Sequence, residues 1–173
     1  MTAITKPRIT ARDHLRLLGI YLNDHLAGST AGLNLAHRLA DEHRGTAAGE
    51  ALAAFAAEVA EDRAALLGIM HALGVPVSRV KASAALVVER LSRLKLNGRL
   101  LGRSPLSSLV ELESMRLGVE GKAAGWRTLS VVASRDGRLD PLQLEALLAR
   151  ARRQAALLDE LHAQAAEGIL VAT

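Results

Sequence analysis

The sequence predicts an all-α fold, and three observations carry that expectation. Half of the 173 residues are apolar while only 2% are aromatic. Alanine and leucine dominate, with 32 of each, and these two head the helix-propensity scale, whereas strands favour β-branched and aromatic side chains. Apolar residues also recur at alternating spacings of three and four, between recognisable start and stop signals. The length allows a single domain over residues 1–173 with a real core and leaves too little for two.

Helix 1 starts at Thr10-Ala-Arg-Asp13, a hydroxyl followed three residues later by an acid, which is the form of a capping box. It is expected to run to Arg44, with Gly45 supplying the left-handed residue that closes it. Its inward stripe reads Leu15, Leu18, Leu22, His25, Ser29, Gly32, Ala36 and Leu39. Thr46 caps helix 2, whose stripe reads Leu52, Phe55, Val59, Asp62, Leu66, Ile69 and Leu73 before Gly74 and Pro76 stop it. The tight connection at Gly45 makes helices 1 and 2 an antiparallel hairpin.

A basic connector follows. A short helix, residues 80–96, is expected within it, and Arg79, Lys81, Arg90, Arg93, Lys95, Arg99 and Arg103 face the single acid Glu89. Its excess of positive charge is larger than the net +4 of the whole chain. Ser104-Pro105 then gives a cap followed by a proline at the first helical position, and helix 3 runs to about Ala133. Its expected inner side carries Leu106, Val110, Glu113, Leu117, Glu120, Ala124 and Val131. The turn at residues 134–137 and the cap Asp140-Pro141 with Gln143 open helix 4, which continues to about Glu167. Two antiparallel hairpins joined by a long crossover containing a short basic helix make a four-helix bundle. The rival arrangement promotes the connector helix to a fifth member.

Several function classes fall away on composition. The absence of cysteine removes disulfides, thiolate metal sites and Cys nucleophiles. One Trp, one Tyr and one Phe offer almost nothing on which a base stacks, so nucleic acid is not the expected partner. With charges throughout and no apolar core, residues 1–14 do not read as a secretory signal, the longest run without a full charge, residues 64–78, is too short for a membrane span, and a cytoplasmic protein is expected. With no strand predicted, a phosphate-binding loop has no place to form. Ser29 near His25 lacks an oxyanion hole and does not make a nucleophile. His14, His37, His43 and His71 read as surface or capping groups.

Two features break the helical pattern. Helix 1 contains Gly28-Ser-Thr-Ala-Gly32 and helix 3 contains Gly121-Lys-Ala-Ala-Gly125, with Gly118 close by. Each interior glycine costs about 1 kcal/mol relative to alanine. Counting from the helix ends puts the two glycine pairs within about 7 Å in height at a rise of about 1.5 Å per residue. The expectation is tight helix–helix packing with Trp126 filling the space beside it, and the sharper reading is room for a ligand. The second feature is the set of ionisable residues on or near the inward stripes. His25 and Asp62 lie about one helical turn apart in height and are expected to pair; Glu113 is level with Asp159 and His162, and Glu120 with Gln154. Asp159 and His162, three apart, share a helix face.

Glutamates on two helices with Glu-x-x-His on the other two form the di-iron or di-manganese centre of ferritin-like proteins. Across residues 10–167 the chain resembles a diverged member of that superfamily. Tyr21-Leu-Asn-Asp-His-Leu-Ala-Gly and Glu111-Leu-Glu-Ser-Met-Arg-Leu-Gly-Val-Glu-Gly-Lys look like segments of bacterial ferritin-like bundles to which no chemistry is attached. The resemblance implies His25, Asp62, Glu113, Glu120, Asp159 and His162 as the ligand set, with iron or manganese as the metal. The pattern is incomplete. Helix 1 offers Asp24 or His25 in place of a Glu, Glu58 and Glu61 have no His at the required spacing, and helix 4 offers Asp159-Glu-Leu-His162 with the shorter acid. The expected function is therefore a non-catalytic binding or structural module, most simply a homodimer, without a cofactor. A divergent metal-binding oxidase or storage protein is the first alternative. A binder of anionic surfaces or of another protein through the segment from Arg79 to Arg103 is the second.

Overall fold

The computed structural model describes residues 10–78, 104 and 106–171. Among them are four α-helices and no strand: α1 Ala11–Glu42, α2 Ala47–Ala72, α3 Leu106–Ala133 and α4 Pro141–Leu170. The expected connector helix, its alternative role as a fifth member, and the whole basic segment from Arg79 to Arg103 lie outside the described residues. Within the described residues no helix is long and apolar enough to cross a membrane.

Local chemistry sets the helix ends. Thr10 Oγ1 accepts from the Asp13 N–H at 3.2 Å while the Asp13 carboxylate accepts from the Thr10 N–H at 3.3 Å, so the capping box forms as the letters imply. α1 closes at Glu42, two residues before Arg44, and Gly45 takes the left-handed conformation with φ +81°. Thr46 Oγ1 accepts from the Gly49 N–H at 3.1 Å and donates to the His43 carbonyl at 2.7 Å. The turn folds back so closely that a Cβ on Gly49 would lie 2.0 Å from the His43 oxygen. Gly74 is the other left-handed glycine, with φ +68°. Ser104 Oγ accepts from the Leu106 N–H at 3.3 Å, and Asp140 Oδ1 accepts from the Leu142 N–H at 2.9 Å with Pro141 opening α4.

Helices α1 and α2 pack against each other, as do α3 and α4; α1 also lies beside α3, and α2 beside α4. Cross-links show the direction of each pair. Tyr21 bonds Thr128 and Arg38 bonds Glu111, so numbers rise along α1 as they fall along α3. Arg150 with Glu61 and Gln154 with Glu58 make α2 and α4 antiparallel in the same way. Glu113 with His162 and Lys122 with Gln154 do so for α3 and α4. Asn23 clamps the segment after α2: its Nδ2 donates to the Pro76 carbonyl at 3.0 Å and its Oδ1 accepts from the Ser78 N–H at 2.6 Å. Arg138 donates to the Leu73 carbonyl at 3.1 Å, which places the α3–α4 turn at the C-terminal end of α2.

The core confirms the α2 stripe throughout: Leu52, Phe55, Val59, Asp62, Leu66, Ile69 and Leu73 are all buried. On α1 the buried positions are Leu22, Leu26, Leu35, Ala36 and Leu39, while Leu15 is exposed. On α3 the expected face is wrong. Leu117 and Val131 are 74% and 73% exposed, and Glu113 and Glu120 share that outer side. The inward stripe is Leu109, Leu112, Met115, Val119, Ala123, Trp126 and Leu129. Both series of α3 carry apolar residues at helical spacing, the expected one with Glu113 and Glu120 among them, so periodicity alone does not choose between them; packing buries the bulkier one, which carries the indole.

Candidate functional site

Asp62 enters the core because it occupies an apolar stripe position of α2, and only 2% of it is exposed. Its partners come from two other helices. Lys122 Nζ on α3 donates to Asp62 Oδ2 at 2.6 Å and to Gln154 Oε1 on α4 at 2.5 Å. Gln154, 1% exposed, donates through Nε2 to Glu58 at 2.9 Å and to Asp62 Oδ2 at 3.3 Å. Arg150 Nε lies 3.3 Å from Asp62 Oδ1, a charge contact without hydrogen-bond alignment, and its Nη1 bonds Glu61. Burial pushes the Lys122 ammonium below its usual value, and the charge of Asp62 opposes the shift. The result is a buried, largely satisfied ionic knot tying α2, α3 and α4 together.

Sequence reasoning passed over Lys122 and Arg150, although a signal was present. Met115, Val119, Lys122, Trp126 and Leu129 step by four, three, four and three; Leu147, Ala151, Gln154 and Leu158 do the same on α4. A lysine and a glutamine therefore interrupt core stripes at the level where Asp62 interrupts that of α2. Three such interruptions at one height point to a polar knot.

The six residues of the expected ligand set are divided among separate places. Asp62 is in the knot and is bonded to Lys122 and Gln154, not to His25. The expected His25–Asp62 pair does not form, and the carboxylate is instead held by the Lys122 ammonium. Glu113 Oε1 is 3.1 Å from His162 Nε2 on the outside of the α3–α4 seam. Asp159 and Glu120 each accept from Arg116 at 2.8 Å. Among the described residues, no group of three or more acidic or histidine side chains is gathered as a metal site would require.

His25 stands beside a cavity of about 730 Å³ between α1, α2 and α3. Its ring meets Tyr21 edge-on at 4.5 Å, and a Cβ on Gly125 would come within 3.1 Å of it. Burial holds the imidazole below its usual value, with Asp24 acting the other way. At Gly28, Gly32, Gly118 and Gly121, by contrast, an added Cβ would meet nothing within 4 Å. The glycines expected to seal α1 against α3 therefore do so only at Gly125, and the other four leave open space. Trp126 forms part of the wall, is 3% exposed, and its indole N–H has no hydrogen-bond partner. A larger recess, about 990 Å³, runs along α1 beside residues 74–78.

Fold and site together define a helical bundle with an internal Lys–Asp–Gln–Arg knot and a glycine-walled cavity beside it. No family model matches the chain, and no curated protein or solved structure is detectably similar to it.

Proposed function

We propose that the chain is a ferritin-like four-helix bundle, two antiparallel hairpins joined by a long crossover, that works as a non-catalytic binding or structural module. The neighbour order and the antiparallel sense of each pair support the arrangement, since α2 ends and α3 begins at opposite ends of the bundle. The observation that carries the functional half is the contact of the Lys122 ammonium with Asp62 at 2.6 Å. It sets a fixed cation on the one buried carboxylate of the implied ligand set. An ammonium there repels a second cation, and the remaining carboxylates are engaged outside the core with Arg116 or His162. These residues do not suit a dinuclear iron or manganese centre.

Metal analysis tests this reading. Protein purified without chelator and then equilibrated with manganese or ferrous iron is expected to retain far less than one equivalent per chain. About two equivalents, lost on Glu113→Ala or His162→Ala, would overturn it in favour of a metal-dependent oxidase or storage protein.

A second copy of the chain is the proposed partner. What supports it is the high apolar fraction of so small a chain, half of its residues, together with Leu106, Leu117 and Val131 exposed on the outer side of α3 among Glu113 and Glu120. Light scattering is expected to give twice the 18.3 kDa chain mass, and Leu117→Glu to give the monomer. A monomeric parent protein would remove the dimer.

A further inference from the structure

The cavity between α1 and α3 is a window whose two sides are held apart from both ends. At one end Tyr21 bonds Thr128 at 3.1 Å and His25 packs on Gly125; at the other Arg38 bonds Glu111 at 3.1 Å. Gly28 and Gly32 on α1, with Gly121 and Gly118 on α3, occupy the levels between these contacts. Alanine at any of the four would meet no neighbour, and between Leu26 and Leu35 α1 contributes no buried residue. These glycines therefore leave room where packing would have accepted a side chain.

The wall also indicates what the room suits. Its surface is mainly apolar, from residues such as Leu22, Leu35, Leu66, Val119 and Leu129, and about 730 Å³ falls within the range of pockets that enclose small molecules. Apart from Asp62 Oδ1, which has no hydrogen bond but faces the Arg150 guanidinium at 3.3 Å, the buried polar groups left over on this wall are donors. The indole N–H of Trp126 is buried without an acceptor, and Lys122, whose ammonium carries three N–H bonds, uses two of them on Asp62 and Gln154. The full charges on the wall balance, Asp24 and Asp62 against Arg63 and Lys122. An anion entering beside Lys122 would also approach Asp62.

We infer that this cavity binds a neutral, mainly apolar small molecule bearing a carbonyl oxygen, seated between the glycine-lined faces of α1 and α3 with the oxygen accepting from Trp126 or Lys122. The inference rests on reading the chain as a binding module and names its ligand class. It is independent of metal content, so metal analysis and ligand binding can fail separately.

Trp126 is the single tryptophan of the chain, so its emission reports on the cavity directly. Titration of the full chain with 2-nonanone is expected to change that emission saturably, with nonanoate binding at least tenfold more weakly. Gly121→Leu, which puts a side chain into the window, is expected to weaken 2-nonanone at least tenfold while circular dichroism and the melting midpoint show an intact fold. Should that variant fail to fold, Gly118→Leu at the exposed edge makes the same test. In Trp126→Phe, the rise in melting midpoint produced by 2-nonanone is expected to shrink. The inference is overturned by an emission that does not respond saturably at millimolar ketone, by a leucine variant that binds as well as the parent, or by nonanoate binding more tightly than the ketone.

Discussion

Asp62 and Lys122 each depend on the other for their place in the core. With side-chain exposures of 2% and 16%, neither reaches enough water to be stable as a lone charge. Removing one member of a buried pair typically costs about 3–5 kcal/mol, whereas replacing both with apolar groups is often neutral. Asp62→Ala is therefore expected to lower the unfolding free energy in urea by about 3–5 kcal/mol, and the double change Asp62→Leu with Lys122→Met to recover most of it. Equal stability of the single variants and the parent would mean that the knot is not coupled to the fold. His25 gives a prediction of pH dependence. Its folded-state value lies below 6.5, chiefly through burial. As pH falls below 6.5 the unfolded chain takes up a proton that the folded chain resists, so stability declines until the folded value is passed. The urea midpoint is expected to drop between pH 7 and pH 5, and His25→Gln to remove that part of the decline; a proton NMR titration of the ring that gives a value above 6.5 would contradict it.

At the scale of elements, the glycines separate by what lies opposite them. Gly28, Gly32, Gly118 and Gly121 stand in helix interiors facing open space, so alanine at each is expected to raise stability by about 1 kcal/mol, measured as a shift in the urea midpoint. Gly125→Ala is expected to destabilise, because its Cβ would press on the His25 ring at 3.1 Å. Gly49→Ala is expected to be worse, since the obstacle at 2.0 Å is the His43 backbone oxygen and not a movable side chain. None of this order is visible in the residue names. The two glycine pairs could be seen to fall at one height, but whether a helix surface presses on them depends on how far apart α1 and α3 are held by Tyr21, His25 and Arg38. The α3–α4 turn carries a further electrostatic tie. Arg138, hydrogen-bonded to Asp136 and reaching the Leu73 carbonyl, holds the Asp136 carboxyl down to about 2. Asp136→Asn is expected to loosen the turn, read as faster amide exchange at residues 136–139.

For the whole molecule, the helices, their caps and the α2 core face were legible because each depends on neighbours within a few residues. Thr10 meets Asp13, Thr46 meets Gly49, Asp140 meets Leu142, and Gly45 and Gly74 need only their own missing Cβ to turn the chain. The α2 stripe could be read because its apolar series has no competitor of similar bulk on the opposite side. α3 has two, so its rotation could not be read locally, and with that rotation went the positions of Glu113 and Glu120. The candidate site was legible only in part: Asp62 was correctly placed in the core, but Lys122 was not identified as its partner. Sequence by itself determined that this chain makes long capped helices with aliphatic faces, since propensity and capping act over one or two turns. Tertiary structure alone decided which face of α3 turns inward, which cation neutralises Asp62, and that four of the five glycines bordering the cavity face open space. Those outcomes depend on the distance and rotation between helices, which are set by packing among residues far apart in the chain.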